Sequence, residues 1–177
     1  RQQRVHYTQT LLHTMPKPVI AAVNGAASGL GADTALACDF VMASEWASFS
    51  WSYIHRGIVP DGGGMYFLPR RVGLPRAKEL IFTGRKVDAD EALRVGIVDR
   101  KTSADRLLAD AQAWARELSQ GSATALALGK RILDQSFELP AEQVFAQGSQ
   151  AQGICYTSTE HRESVMAFLA KTAASKQ

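Results

Sequence analysis

Between Val19 and Ala43 the chain runs from an apolar strand through a glycine turn and a short helix into a second apolar strand. VIAAV, NGAASGLGAD, the helix-like stretch Gly31–Cys38 and FVMA follow one another with almost no spare residues. Two strands joined by so short a helical crossover must lie parallel in a sheet whose faces are covered, so the class is α/β. A helix that starts directly after glycines aims its first backbone N–H groups at whatever lies in front of them. A few residues later comes Pro60-Asp61 before Gly62-Gly63-Gly64. These are parts for holding an anion and moving a proton beside it, and they make an enzyme the first hypothesis.

Around this run the pattern is mostly helical. Val5, Thr8, Leu11, Leu12 and Met15 share a helical face that is closed by Pro16 and Pro18. Ala47–Ser50 and Ile97–Asp99 read as further short strands, and Pro75–Phe82 as a helix closed by Thr83-Gly84. Asp88 stands where an N-cap belongs, with Glu91 three residues on as in a capping box, and Gly96 ends that helix. From Ser103 the chain is all helix: 107–118, Ala123–Phe137, Ala141–Tyr156 and Glu160–Ala173. Two parts are therefore expected, an α/β core over 1–102 and a helical region over 103–177. Four amphipathic helices beside so small a core call for a subunit interface. The first residue is not Met and the first strand has no earlier partner, so further chain is expected upstream.

Composition excludes several classes. No apolar run is long enough to span a bilayer as a helix, and RQQRVHYTQT lacks the pattern of a signal peptide, so a cytoplasmic protein without membrane attachment is expected. Cys38 and Cys155 are too few and too far apart for a disulfide framework, and Cys38 is expected to be an inert buried thiol. The net charge of +3 is spread along the chain with no basic stripe interleaved with aromatics, so nucleic acid is not the expected partner. There is no Cys/His cluster for a metal, and Ser28 and Ser50 lack a suitably spaced His and Asp for a hydrolase triad.

Among single residues Asp61 is the sharpest candidate. The glycines behind it leave room for a ligand, and a carboxylate in a partly dry pocket is a stronger base than one in water. Its structural alternative is a cap on the helix that follows. Gly29-Leu30-Gly31 can present backbone N–H groups to an oxyanion, although its spacing is not that of a dinucleotide fingerprint. Asp33 suits the first turn of a helix whatever its function. Trp46, Trp51 and Tyr53 lie close together in sequence, as core fillers or as walls of an acyl pocket.

The chained motifs KPVIAAVNGAASGLGADTALACDFVMAS, GIVPDGGG, FLPRRVG and AKELIFTGRKVDADEALRVGIVDR, with the helical tail, closely resemble the crotonase superfamily, the enoyl-CoA hydratase/isomerase family. The resemblance runs from about Lys17 to the C-terminus. It implies a β-β-α spiral with a helical C-terminal region that trimerises, giving homotrimers or hexamers, and a substrate that is an acyl-CoA thioester. Coenzyme A is then part of the substrate, and no separate cofactor or metal is implied. The N-terminal turns of the spiral, with one of the two oxyanion-hole donors, would precede residue 1.

Residue by residue, the resemblance assigns the other oxyanion-hole N–H to Leu30. The two hydratase glutamates correspond to Asp33 and Tyr53, and a phenol cannot replace a carboxylate that must deprotonate water. Asp61 matches an aspartate of dienoyl-CoA isomerases, of a chlorobenzoyl-CoA dehalogenase and of ring-epoxide phenylacetyl-CoA isomerases. IVPDGGGMYFLPRRVG is most similar to the last group, in which a neutral residue usually stands where Asp33 does. The implied activity is an acyl-CoA isomerase with Asp61 as proton shuttle and Asp33 tuning it. The alternatives are an enoyl-CoA hydratase using Asp33 and Asp61, an aspartyl-ester dehalogenase, and a non-catalytic or RNA-binding relative. Trp51 and Tyr53 would line the acyl pocket, and Lys171 beyond Phe168 would meet the CoA nucleotide.

Overall fold

The computed structural model describes residues 2–174, which divide into two compact units on either side of the Glu117–Leu118 bond. The first unit opens with α1 (Gln2–Thr14) and then divides its strands between two sheets, alternating from β1 to β4. β1 (Ile20–Val23), β3 (Phe40–Ser44) and β6 (Arg100–Thr102) form one three-stranded sheet in the order β1-β3-β6, all parallel. β2 (Ala26–Ser28), β4 (Ser48–Ser50) and β5 (Val87–Asp88) form the other, with β2 and β4 parallel and β5 antiparallel. Each pass of the chain lays one strand in each sheet and then leaves through a helix: α2 (Leu30–Leu36) after β2, and α3 (Gly64–Val72) with α4 (Leu74–Thr83) after β4. This is the β-β-α staircase, and its core holds Val41, Phe49, Trp51, Leu68, Leu80, Val87 and Ile97.

The β1–α2–β3 crossover forms as its sequence implies, with Ala21 opposite Val41. Two readings change. Ala26–Ser28, taken for part of the glycine turn, is strand β2, because Gly25 and Gly29 bound a segment short enough to pair with Ser48–Ser50. The strand expected at Ile97–Asp99 instead begins at Arg100. Ile97 and Val98 turn into the core, and the Asp99 carboxylate accepts the Val41 N–H at 2.7 Å. Arg71 ties that corner together, donating to the Asp39 carbonyl at 2.8 Å and pairing with Asp99 at 3.1 Å.

α5 (Ala89–Val95) starts on Asp88, whose Oδ1 accepts the Glu91 N–H at 2.8 Å, and ends on Gly96 at φ 90°. Only half of the capping box is present. The Glu91 carboxylate is held by Arg85, which also grips Glu79. α6 (Leu107–Leu118) belongs almost entirely to the first unit, so the division falls after Glu117 and not at 102. Its Trp114 is buried, 4.8 Å from the Phe40 ring and under the Arg100 guanidinium, and this packing outweighs its helical neighbours in sequence. Cys38 is half-buried, its Sγ–H directed at the Thr34 carbonyl.

The second unit comprises α7 (Ala123–Asp134), α8 (Ala141–Thr157) and α9 (Thr159–Ala174). α7 stops short of the expected Phe137. Among the described residues none on these three helices is buried, and Phe145, Ile154, Met166, Phe168 and Leu169 lie exposed on α8 and α9. No described helix is long and apolar enough to cross a membrane.

Candidate active site

The glycine turn and the carboxylate loop meet around Asp33. Its side chain is fully buried. Oδ1 accepts the indole N–H of Trp51 at 2.9 Å, Oδ2 accepts the Tyr53 hydroxyl at 2.7 Å, and the Gly62 backbone N–H donates to the same carboxylate. Burial raises the Asp33 pKa above the ordinary carboxylate value; the three donors pull it back, and the nearby charge of Asp61 pushes it up again. The Tyr53 phenol is raised well above its usual range, first by burial and then by its bond to Asp33. It is a hydrogen-bond donor here and not a base.

The glycines of the loop serve this contact. A Cβ on Gly62 would stand 2.6 Å from Asp33 Oδ2 and 2.7 Å from Leu30 Cδ1. One on Gly64 would run into Asp33 Oδ1 and stand 2.8 Å from the Trp51 Nε1. Gly63 adopts φ 109° and caps α3 itself, with no side-chain cap, so the capping role considered for Asp61 is not what occurs. The bulk-free triplet, expected to admit a ligand, instead lets the loop close on a buried carboxylate.

Asp61 stays exposed at the head of that loop, beside a cavity of about 250 Å³ that it shares with His13, Tyr66 and Phe67. Its backbone carbonyl accepts a bond from His6 Nε2 at 2.9 Å, so that nitrogen carries the proton. Tyr66, Phe67 and His13 meet edge to face, with centroids 5.1 to 5.9 Å apart, and form an aromatic wall. Asp33 and Asp61 are thus near enough to feel each other yet differ in kind, one buried and saturated with donors, the other open.

Leu30 is the first residue of α2 and 42% exposed, and a helix supplies no internal acceptor for its N–H. The turn before it is fixed by Gly29 at φ 56°, whose own N–H donates to the Ser50 carbonyl at 2.9 Å. Trp51, expected as a pocket wall, is wholly buried in the core and meets the site through its bond to Asp33 and its packing against Gly64. Trp46 does not join it and is exposed. Phe168 and Lys171 lie on α9 in the second unit, both exposed.

Sequence reasoning missed three participants on the way to this site: His6, Gln9 and Thr34. The first two lie on α1, where polar residues at positions 6, 9 and 13 make a stripe of helical spacing that a search for apolar faces passes over.

The family model described as enoyl-CoA hydratase/isomerase matches residues 1–175. The chain belongs to the enoyl-CoA hydratase/isomerase family. This member is 36% identical over 160 residues to the short-chain-enoyl-CoA hydratase of Clostridium acetobutylicum, a match covering 90% of this chain and 61% of the relative. It superposes on an enoyl-CoA hydratase/isomerase from Cupriavidus metallidurans CH34 with a TM-score of 0.89 at 40% identity, covering 96% of this chain and 65% of the other. The enoyl-CoA hydratase from Bacillus anthracis gives a TM-score of 0.93 at 32% identity, covering 96% and 66%. The chain therefore shares the crotonase fold and spans about three fifths of the length of the curated relatives it matches.

Proposed function

We propose that this family member is an acyl-CoA isomerase that works through a thioester enolate, with Asp61 as its single proton shuttle. The observation that carries the reading is the asymmetry of the two carboxylates: Asp33 is sealed under three donors, and Asp61 alone faces open space. The thioester carbonyl accepts the Leu30 N–H. Asp61 takes a proton from the substrate carbon beside the thioester, and the electron pair moves onto the carbonyl oxygen as an enolate. The same carboxyl returns that proton further along the conjugated chain, so a double bond moves and nothing is added or lost. The resemblance of IVPDGGGMYFLPRRVG to phenylacetyl-CoA isomerases supports this reading. In the full-length protein, Asp61→Asn should lower turnover of a 3-enoyl-CoA by about 10²–10⁴-fold while acyl-CoA binding persists. Unchanged turnover would remove Asp61 from the chemistry.

A second reading, an enoyl-CoA hydratase using both aspartates, is favoured by the names of relatives such as the short-chain-enoyl-CoA hydratase. Crotonyl-CoA separates the two. Loss of its conjugated thioester absorbance with formation of a 3-hydroxyacyl-CoA, abolished by either Asp33→Asn or Asp61→Asn, would establish hydration.

The proposal extends to assembly. The exposed apolar residues of α8 and α9 suit a subunit interface, and sedimentation of the full-length protein should give a multiple of three subunits. Phe168 and Lys171 would then approach the CoA nucleotide, and Lys171→Ala should raise KM for acyl-CoA with little change in kcat.

A further inference from the structure

α1 buries a polar side chain more deeply than its apolar ones. Val5, Leu12 and Met15 are half-buried and Leu11 is 45% exposed, whereas Gln9 is 5% exposed. A glutamine side chain is among the least suited to burial, and this one holds a buried Oε1 with no hydrogen-bond partner. Its other end explains the position. Gln9 Nε2 donates to Thr34 Oγ1 at 3.0 Å, and Thr34 Oγ1 donates to the Leu30 carbonyl at 2.8 Å. Three residues earlier on the same helix, His6 donates to the Asp61 carbonyl. One helix therefore grips the backbone of both segments that the proposed chemistry needs, the peptide at Leu30 and the loop at Asp61.

We infer that Gln9 is a positioning residue for the oxyanion donor, acting through Thr34 on the backbone of Leu30. This rests on the proposed enolate chemistry with the Leu30 N–H as donor. The direction of the relay follows from atom types. A carbonyl only accepts, so the single Thr34 proton is committed to Leu30, and Thr34 Oγ1 can take only a donor from its other side. The Gln9 amide N–H₂ supplies that donor and settles which way the hydroxyl points. The bond to its carbonyl steadies residue 30 at the start of α2 and so helps its N–H keep its aim as charge develops on the thioester oxygen. Without the amide, Thr34 can swing to another staggered rotamer and the first turn of α2 is free to fray.

The test is a kinetic and spectroscopic comparison in the full-length protein of Gln9→Leu, Thr34→Val, Thr34→Ser and the double variant Gln9→Leu/Thr34→Val. Gln9→Leu should lower kcat about tenfold or more at unchanged KM. Its Tm should hold or rise, because the unpartnered buried oxygen goes with the amide. Thr34→Val should match it, Thr34→Ser should stay close to the parent, and the double variant should be no worse than Thr34→Val alone, since both act through one relay. Butyryl-CoA labelled at its thioester carbonyl reads the same donor without turnover: its bound carbonyl stretch should shift less in Gln9→Leu than in the parent, at parental affinity. Parental kcat and carbonyl shift in Gln9→Leu would overturn the inference. So would a loss of kcat that tracks a loss of Tm and adds to that of Thr34→Val. No carbonyl shift in the parent would overturn it together with the Leu30 donor. Formation of a 3-hydroxyacyl-CoA product would refute isomerisation alone, because hydration draws on the same carbonyl donor, and the Gln9 comparison would stand.

Discussion

Tyr53→Phe removes one oxygen and isolates the electrostatics of the buried carboxylate. The lost hydroxyl donates to Asp33 Oδ2 at 2.7 Å, and Asp33 has no exposed surface through which water could replace it. While Asp33 is ionised, the missing bond is one to a charged acceptor, worth about 1.5–3 kcal/mol; once Asp33 is protonated it is an ordinary bond worth about 0.5–1.5 kcal/mol. The Asp33 pKa is already raised in the folded state, so its contribution to stability is complete below the unfolded value of 3.8 and is lost as pH climbs through the folded value. Tyr53 holds the folded value down, so the variant should steepen that loss. The destabilisation should be about 1 kcal/mol at acid pH and about 2 kcal/mol above the folded pKa. At about 2–4 °C per kcal/mol for a chain of this size, the Tm deficit should grow from about 3 °C to about 6 °C. Thermal unfolding at equal protein concentration over a pH series measures it, with Asp33→Asn and the Asp33→Asn/Tyr53→Phe pair as controls in which the slope disappears. A deficit that is flat across pH, or that shrinks as pH rises, would refute the assignment of Asp33 as a buried, donor-saturated carboxylate.

Further outcomes can be checked by urea unfolding and kinetics. Gly62→Ala forces a methyl onto Asp33 and Leu30 and should cost about 1–3 kcal/mol, with kcat falling more than KM rises; a neutral effect would mean the loop has slack that its contacts do not suggest. Trp114→Ala should destabilise the first unit by about 3–5 kcal/mol, whereas a surface-like effect below about 0.5 kcal/mol would return α6 to the second unit. Asp88→Ala removes the α5 cap and should cost about 1 kcal/mol, with Asp88→Asn restoring most of it.

Much of the site lay open in the chain itself. The two halves, GAASGLGAD and IVPDGGG, were legible because each is a local device: glycines at the turn, a helix start behind them, a carboxylate ahead of a glycine run. Asp61 and the Gly29-Leu30-Gly31 turn are legible on that basis, the family resemblance narrows the turn to the Leu30 N–H, and Asp61 and Leu30 both stand at the surface of the structure. What the glycines of the second half pack against was not legible, because Asp33 and Trp51 lie far from them in sequence and no spacing rule connects them. The role of Gln9 was hidden for a related reason. Apolar periodicity finds the face a helix buries for solvation, and α1 turns a polar residue inward for a bond to Thr34, 25 positions away.

The sequence by itself determined the elements and their punctuation, since these depend on neighbours within a few residues. Gly96 at φ 90° ends α5, Asp88 begins it, and the β1–α2–β3 crossover admits only parallel strands. Only the tertiary structure decided that the strands divide between two sheets, that α6 packs with the first unit, and that one aspartate is sealed while the other stays open. The two aspartates are the same side chain with the same intrinsic acidity. What separates them is the desolvation and the donors supplied by Trp51, Tyr53 and Gly62, and those arise only when distant segments are packed together.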